Sequence, residues 1–133
     1  MSKNIINIIT NANYESKKTA TNLHKVLTNY GYEPFNGFNK NAELSICIGG
    51  DGSFIKAIHK NDFPDMPFVG INTGHLGFYQ EIKPDEIEKL VKDYKNGNYN
   101  VDDIKLIRSD IYTKNKVYKF YSINEVVLKA AHS

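Results

Sequence analysis

Leu44-Ser45-Ile46-Cys47-Ile48 runs directly into Gly49-Gly50-Asp51-Gly52-Ser53, and Phe54-Ile55-Lys56-Ala57-Ile58 follows at helical spacing. The stretch reads as a buried strand, a glycine-rich turn and the start of a helix. Glycines let a backbone approach a ligand closely and adopt positive φ. The first N–H groups of a helix have no partner within it, and they suit phosphate oxygens. A carboxylate at such a place is a poor phosphate ligand. Asp51 therefore fits a proton acceptor, or a metal anchor beside a phosphate. The chemistry expected from this turn is phosphoryl transfer. The plain alternative is a tight turn in which Asp51 caps the helix.

Outward from the turn, strands and helices alternate. Ile5 to Thr10 reads as a buried strand, Asn11-Ala12-Asn13 as a turn, and Glu15 to Tyr30 as a helix with Leu23, Val26, Leu27 and Tyr30 on one face. Gly31 sits where a C-terminal cap glycine belongs. Phe35 to Asn41 reads as a loop, and Asp62 to Pro67 as a Pro-bearing one. Phe68 to Ile71 is a third strand, followed by a second glycine turn, Asn72-Thr73-Gly74-His75-Leu76-Gly77-Phe78. Pro84 to Lys95 has a helical face of Ile87, Leu90, Val91 and Tyr94, with Asp85 and Glu86 in its first turn. Thereafter the pattern turns to strands: Ile104 to Tyr112, Val117 to Ser122 and Val126 to Lys129, with Thr113-Lys114-Asn115-Lys116 as a hairpin turn. The alternating part predicts a parallel α/β sheet between helix layers. Two regions are expected: an α/β domain over 1–103 and a β-rich segment over 104–133.

Composition narrows the function classes. The chain has 133 residues and a net charge of +2, too little to argue for nucleic acid. Its nine tyrosines form no stacking stripe on one strand, which speaks against an RNA-binding sheet. No apolar stretch reaches the roughly 18 residues of a membrane span. The single cysteine, Cys47, excludes an internal disulfide and reads as an inert core thiol. A cytoplasmic protein is expected. His24, His59 and His132 have no partners at ligand spacing, so no metal site is expected. The acidic pairs Asp85-Glu86 and Asp102-Asp103 read as a helix start and a loop. A G-x-G-x-x-G after the first strand and a Gly-Lys-Ser/Thr loop are both missing, against Rossmann and Walker-type sites.

GGDG(S/T) at a strand end is shared by NAD kinases, lipid kinases and phosphofructokinases. The second turn separates them: Asn72 to Phe78 resembles the NTGxLGF element of NAD kinases. Asn124-Glu125-Val126-Val127 is similar to the Asn-Glu pair of the same family. The Pro-x-Gly-Thr element of lipid kinases has no counterpart here, which leaves a diacylglycerol-type lipid kinase as a weaker alternative. The resemblance, which covers nearly the whole chain, implies the N-terminal domain of an NAD kinase. It implies ATP-dependent phosphorylation of the adenosine ribose 2′-hydroxyl of NAD, giving NADP. Asp51 matches the catalytic aspartate. Gly52 would let the nucleotide approach, and Asn124 and Glu125 would hold NAD by hydrogen bonds. Lys56 either meets a phosphate or lies on a solvated helix face. Phe54 either shapes the nucleotide pocket or belongs to the core. Gly49, Gly50, Ser53, Asn72 and Thr73 are further candidates from the two turns. His75 stands at a variable position of the family element and is left out of the chemistry. A divalent ion, Mg²⁺, would ride largely on ATP. Family members continue into a second β-rich domain and form homo-oligomers. This chain is expected to stop short of that domain, so that a non-catalytic nucleotide-binding or assembly fragment is the other reading.

Overall fold

The computed structural model describes residues 4–61, 65–74, 82–109 and 120–130, with backbone only for Asp51 and for residues 100–109 and 120–130. Strand β1 (Ile5–Thr10) leads to helix α1 (Tyr14–Asn29) and the short strand β2 (Glu33–Asn36). Strand β3 (Leu44–Gly49) leads to α2 (Asp51–Lys60) and then to β4 (Phe68–Asn72). A single 3₁₀ turn at Pro84–Glu86 enters α3 (Ile87–Lys95), and β5 (Tyr99–Ser109) and β6 (Phe120–Ala130) complete the order.

One sheet joins all six strands in the order β2-β1-β3-β4-β6-β5. The pairs β1–β2, β1–β3, β3–β4 and β4–β6 are parallel, and β5 runs antiparallel to β6. Period-two alternation divides the side chains between two apolar layers. On one face Ile6, Ile8, Leu44, Ile46 and Ile48 pack with Leu23, Val26 and Leu27 of α1 and with Ile87, Leu90 and Val91 of α3. On the other, Ile5, Cys47 and Phe68 pack with Phe54, Ala57 and Ile58 of α2. The result is the expected three-layer α/β arrangement. All six residues of β3 are buried, which is why the deciding stretch reads as a continuous apolar run and not as an alternation.

One buried polar group is fully accounted for. The Asn7 side chain, with no exposure, donates to the Asn39 carbonyl at 3.0 Å and to Ser45 Oγ at 3.1 Å, and its Oδ1 accepts the Asn39 N–H at 3.0 Å. These bonds tie the loop before β3 to the sheet.

Several expectations need correction. The loop expected from Phe35 begins with a strand. β2 is four residues long, mostly exposed and contains Pro34, so it has no apolar alternation to reveal it. Of the two strands expected over Val117–Ser122 and Val126–Lys129, the described residues form one element, β6, with Asn124 and Glu125 inside it opposite Lys105 and Ile104. The second helix begins at Asp51, two residues before the expected start at Ser53. The helix expected from Pro84 starts as a 3₁₀ turn and becomes α-helical at Ile87. β5 starts at Tyr99 and runs unbroken through residues 103 and 104. The expected hairpin turn at Thr113–Lys116, the second glycine turn from His75 to Phe78, and His132 lie outside the described residues.

Candidate functional site

The strand order reverses at β1: the chain leaves it for β2 on one side and returns to β3 on the other. In open α/β sheets, ligands bind outside the carboxyl ends of the strands at such a switch point. Here the carboxyl ends of β1, β3 and β4 carry Asn11-Ala12-Asn13, the Gly49–Ser53 turn and the Asn72–Gly74 turn.

Gly49 closes β3 at φ 151°, a conformation that L side chains rarely adopt. A Cβ there would lie 2.9 Å from both Asn11 Nδ2 and Ser53 Oγ. Gly50 is the N-cap of α2, and its carbonyl accepts the Phe54 N–H at 3.0 Å. Asp51 is the first helical residue, one place beyond the N-cap. Gly50 at the N-cap has no side chain to offer the first N–H groups of the helix. A Cβ at Gly52, which is exposed, would meet nothing within 4 Å. Among the described residues, packing gives a reason for glycine at Gly49 and none at Gly52.

The two glycine turns are bonded to each other. The Thr73 N–H donates to the Gly49 carbonyl at 3.2 Å. Thr73 Oγ1 lies 2.8 Å from Oγ of Ser16, which is completely buried in the first turn of α1. Asn72 is buried; its Oδ1 accepts the Gly74 N–H at 2.8 Å, and its own N–H donates to the Ile82 carbonyl. Asn11 reaches across from β1, its Nδ2 donating to Ser53 Oγ at 3.3 Å. Phe54 is fully buried and meets Phe68 edge to face at 6.2 Å, which makes it a core residue. Lys56 is exposed and lines a cleft between α2 and the end of β1.

The structure thus brings together Gly49, Gly50, Asp51, Gly52, Ser53, Asn72 and Thr73, with Lys56 one turn along α2. Asn124 and Glu125 stand elsewhere. β6 pairs with β4 where Val127 lies beside Phe68, at the amino end of β4. The Asn-Glu pair precedes that point, and Asn72 follows it by four residues. Along the strand direction the separation is roughly 20 Å. Asn11, Ser16 and Lys60 were missed by the sequence reading. Their only signal was the asparagine pair after the first strand and a lysine four residues beyond Lys56.

Residues 3–99 match the family of the ATP-NAD kinase N-terminal domain. The chain belongs to the NAD kinase family. Among its relatives, an NAD kinase of Finegoldia magna is 45% identical over 131 residues, which is 97% of this chain and 48% of the relative. An NAD kinase of Lysinibacillus sphaericus is 37% identical over 91 residues, covering 66% of this chain and 34% of that one. The chain thus spans about half the length, or less, of the NAD kinases it matches. A crystal structure of an NAD kinase from Archaeoglobus fulgidus in complex with ATP superposes with a TM-score of 0.61 at 20% identity, over 79% of this chain and 42% of that chain. Yeast NADH kinase complexed with NADH gives a TM-score of 0.64 at 12% identity, over 92% and 46%. At such identities these two likenesses show the fold.

Proposed function

We propose that this chain carries the phosphoryl-transfer part of an NAD kinase site, which phosphorylates the adenosine ribose 2′-hydroxyl of NAD from ATP to give NADP. The observation that supports it best is the bond from the Thr73 N–H to the Gly49 carbonyl. It joins two separate glycine turns at the carboxyl ends of adjacent strands. A ribose hydroxyl is a poor nucleophile at neutral pH. In this reading Asp51 accepts its proton as it attacks the terminal phosphorus, and ADP leaves. Gly50, Gly52 and the start of α2 bring backbone N–H groups to the transferred phosphate. Gly52 leaves room for the nucleotide to touch the chain. Among the described residues no three His, Cys, Asp or Glu side chains cluster, so the oxygens of ATP would supply most ligands of a Mg²⁺ ion, which neutralises phosphate charge when bound.

Asn124 and Glu125 complete the proposal as the pair that holds the dinucleotide. That role requires the β5–β6 ribbon to stand further along β4 than the pairing of Val127 with Phe68 places it. The β-rich residues 104–133 would lead toward further structure of the kind the longer relatives have room for, within a cytoplasmic homo-oligomer. A second reading is a nucleotide-binding or assembly part of the same fold without turnover of its own.

The test is calorimetric titration with NAD and with ATP, followed by an assay of NADP formation, for the wild type and Asp51→Asn. Binding by both proteins is expected, with turnover reduced about 10²–10⁴-fold in the variant. Equal turnover would remove Asp51 from the chemistry. Binding without turnover in the wild type would select the second reading. A folded chain that binds neither ligand would reject both.

A further inference from the structure

The loops at the carboxyl ends of β1, β3 and β4 are closed into one circuit of hydrogen bonds. In the turn after β3, Ser53 Oγ accepts from Asn11 Nδ2 at 3.3 Å. Asn11 Oδ1 accepts the N–H of Asn13 at 3.1 Å, and Asn13 Oδ1 accepts the N–H of Ser16 at 3.4 Å. Ser16 Oγ meets Thr73 Oγ1 at 2.8 Å, and the Thr73 N–H returns to the Gly49 carbonyl at 3.2 Å. Gly49 and Ser53 belong to the same turn, so the circuit is complete. Asn11, Asn13, Ser53 and Thr73 are each open to water at least in part, whereas Ser16 is completely buried. Water can replace a bond at the open members of the circuit. At Ser16 it cannot.

On distance alone either hydroxyl of Ser16 and Thr73 could be the donor. Burial decides between them. A hydroxyl inside a helix often donates to the carbonyl four residues back. Thr19, Thr21 and Thr28 of α1 do so, to Glu15, Lys17 and His24. For Ser16 that carbonyl belongs to Ala12, ahead of the Asn13 cap, and among the described residues Thr73 is the one partner of the Ser16 hydroxyl. A buried proton without an acceptor is costly. Ser16 therefore donates and Thr73 accepts, and the half-buried Thr73 keeps its own proton for the open side of the turn.

We infer that Ser16 is a positioning residue: from the first turn of α1 it donates a buried hydrogen bond to Thr73 and so holds the second glycine turn against the first. The inference rests on the phosphoryl-transfer reading and adds to it a residue that lies outside both turns. The β3–β4 ladder ends where Gly49 pairs with Asn72, so Thr73 is the first residue beyond the strands. There a single backbone bond of 3.2 Å, at the long end of the usual range, joins the turns. The side-chain bond to Ser16 is a second anchor, on a helix fixed at its start by Asn13. Walls set before a ligand arrives lose less freedom when it binds. Misplacement of a reacting group by about 1 Å can cost roughly 10²-fold in rate.

The test combines amide hydrogen exchange read residue by residue, urea midpoints, and calorimetric titration with NAD and with ATP. In Ser16→Ala the protection of the Thr73 N–H is expected to fall about tenfold, the worth of one hydrogen bond, and both ligands to bind about tenfold more weakly. Thr21→Ala removes a hydroxyl bonded within α1 and is expected to change neither. Thr73→Ser keeps the accepting oxygen and is expected to keep wild-type affinity. Thr73→Val strands the Ser16 proton, so its urea midpoint is expected to fall further than that of Ser16→Ala, and to rise again when Ser16→Ala is added to it. These two Thr73 variants cut or keep the bond from its open end, and they carry the comparison where Ser16→Ala does not fold. The inference is overturned by wild-type protection of Thr73 or wild-type ligand affinity in Ser16→Ala, by an equal loss in Thr21→Ala, or by a midpoint for the double variant below that of Thr73→Val. A wild type that binds neither ligand refutes the phosphoryl-transfer reading, and exchange and midpoints, which need no ligand, still decide whether Ser16 holds the turns.

Discussion

Gly49 and Gly52 belong to one turn, and the fold asks different things of them. Gly49 is demanded by the fold, because its backbone stands at φ 151° and a Cβ would press on Asn11 and Ser53. Gly49→Ala is expected to cost about 1–3 kcal/mol in urea unfolding, through backbone strain and displacement of Ser53. At Gly52 a methyl group meets nothing within 4 Å among the described residues. Gly52→Ala is expected to leave stability unchanged or to raise it by up to about 1 kcal/mol, since alanine suits a helix better than glycine. The same substitution should weaken nucleotide binding if ligand backs onto that position. A Gly52→Ala chain that binds NAD and ATP as the wild type does would show that no ligand approaches there.

At the scale of elements, α1 is fixed at its start more firmly than its sequence suggests. Asn13 Oδ1 accepts the N–H of Glu15 at 2.8 Å and of Ser16 at 3.4 Å, and Asn11 Oδ1 accepts the N–H of Asn13 at 3.1 Å. Asn13→Ala is expected to cost about 1 kcal/mol and to speed hydrogen exchange at Glu15 and Ser16. Unchanged exchange there would mean that the Ser16–Thr73 contact alone holds the first turn. The elements that sequence made legible share one property, a buried face with its own period. β1, β3 and β4 appear as apolar runs, and α1 and α3 as 3.6-residue stripes. β2 stayed hidden because it buries almost nothing, and β6 was split because Asn124 and Glu125 look like a turn when their cross-strand neighbours are unknown. The two glycine turns were legible as motifs. That Thr73 bonds to Gly49 was not, because it depends on β3 and β4 lying side by side. Asn11 and Lys60 became candidates only when the fold set the end of β1 against α2.

At the scale of the molecule, stability should decline in alkali. Burial within β3 pushes the Cys47 thiol up to about 12 from its ordinary 9.0. Burial, then the hydrogen bond to Glu43, also raises the Tyr94 phenol. Tyr94 lies against Tyr99 and Tyr32, so it belongs to the packing below α3. Below the ordinary values both groups are neutral whether folded or not, and their contribution is complete. Above about pH 9 the unfolded chain ionises first, so unfolding becomes easier as pH rises toward the folded values. Urea midpoints are expected to fall steadily over that range, and Cys47 to react with iodoacetamide no faster than the chain unfolds. Rapid alkylation under native conditions would contradict the burial of β3.

The outer edge of the sheet has its own consequence. In β2 the N–H of Glu33 bonds to the Asn4 carbonyl, and the N–H of Gly37 to the Ile8 carbonyl, so the odd-numbered residues face β1. Strand alternation then turns the nitrogen of Pro34 outward, and it carries no hydrogen. A stray strand that approached this edge would find one of its few docking points already blank. Pro34 thus removes one donor from the β2 edge of the sheet, on a strand that offers only four residues to an added neighbour.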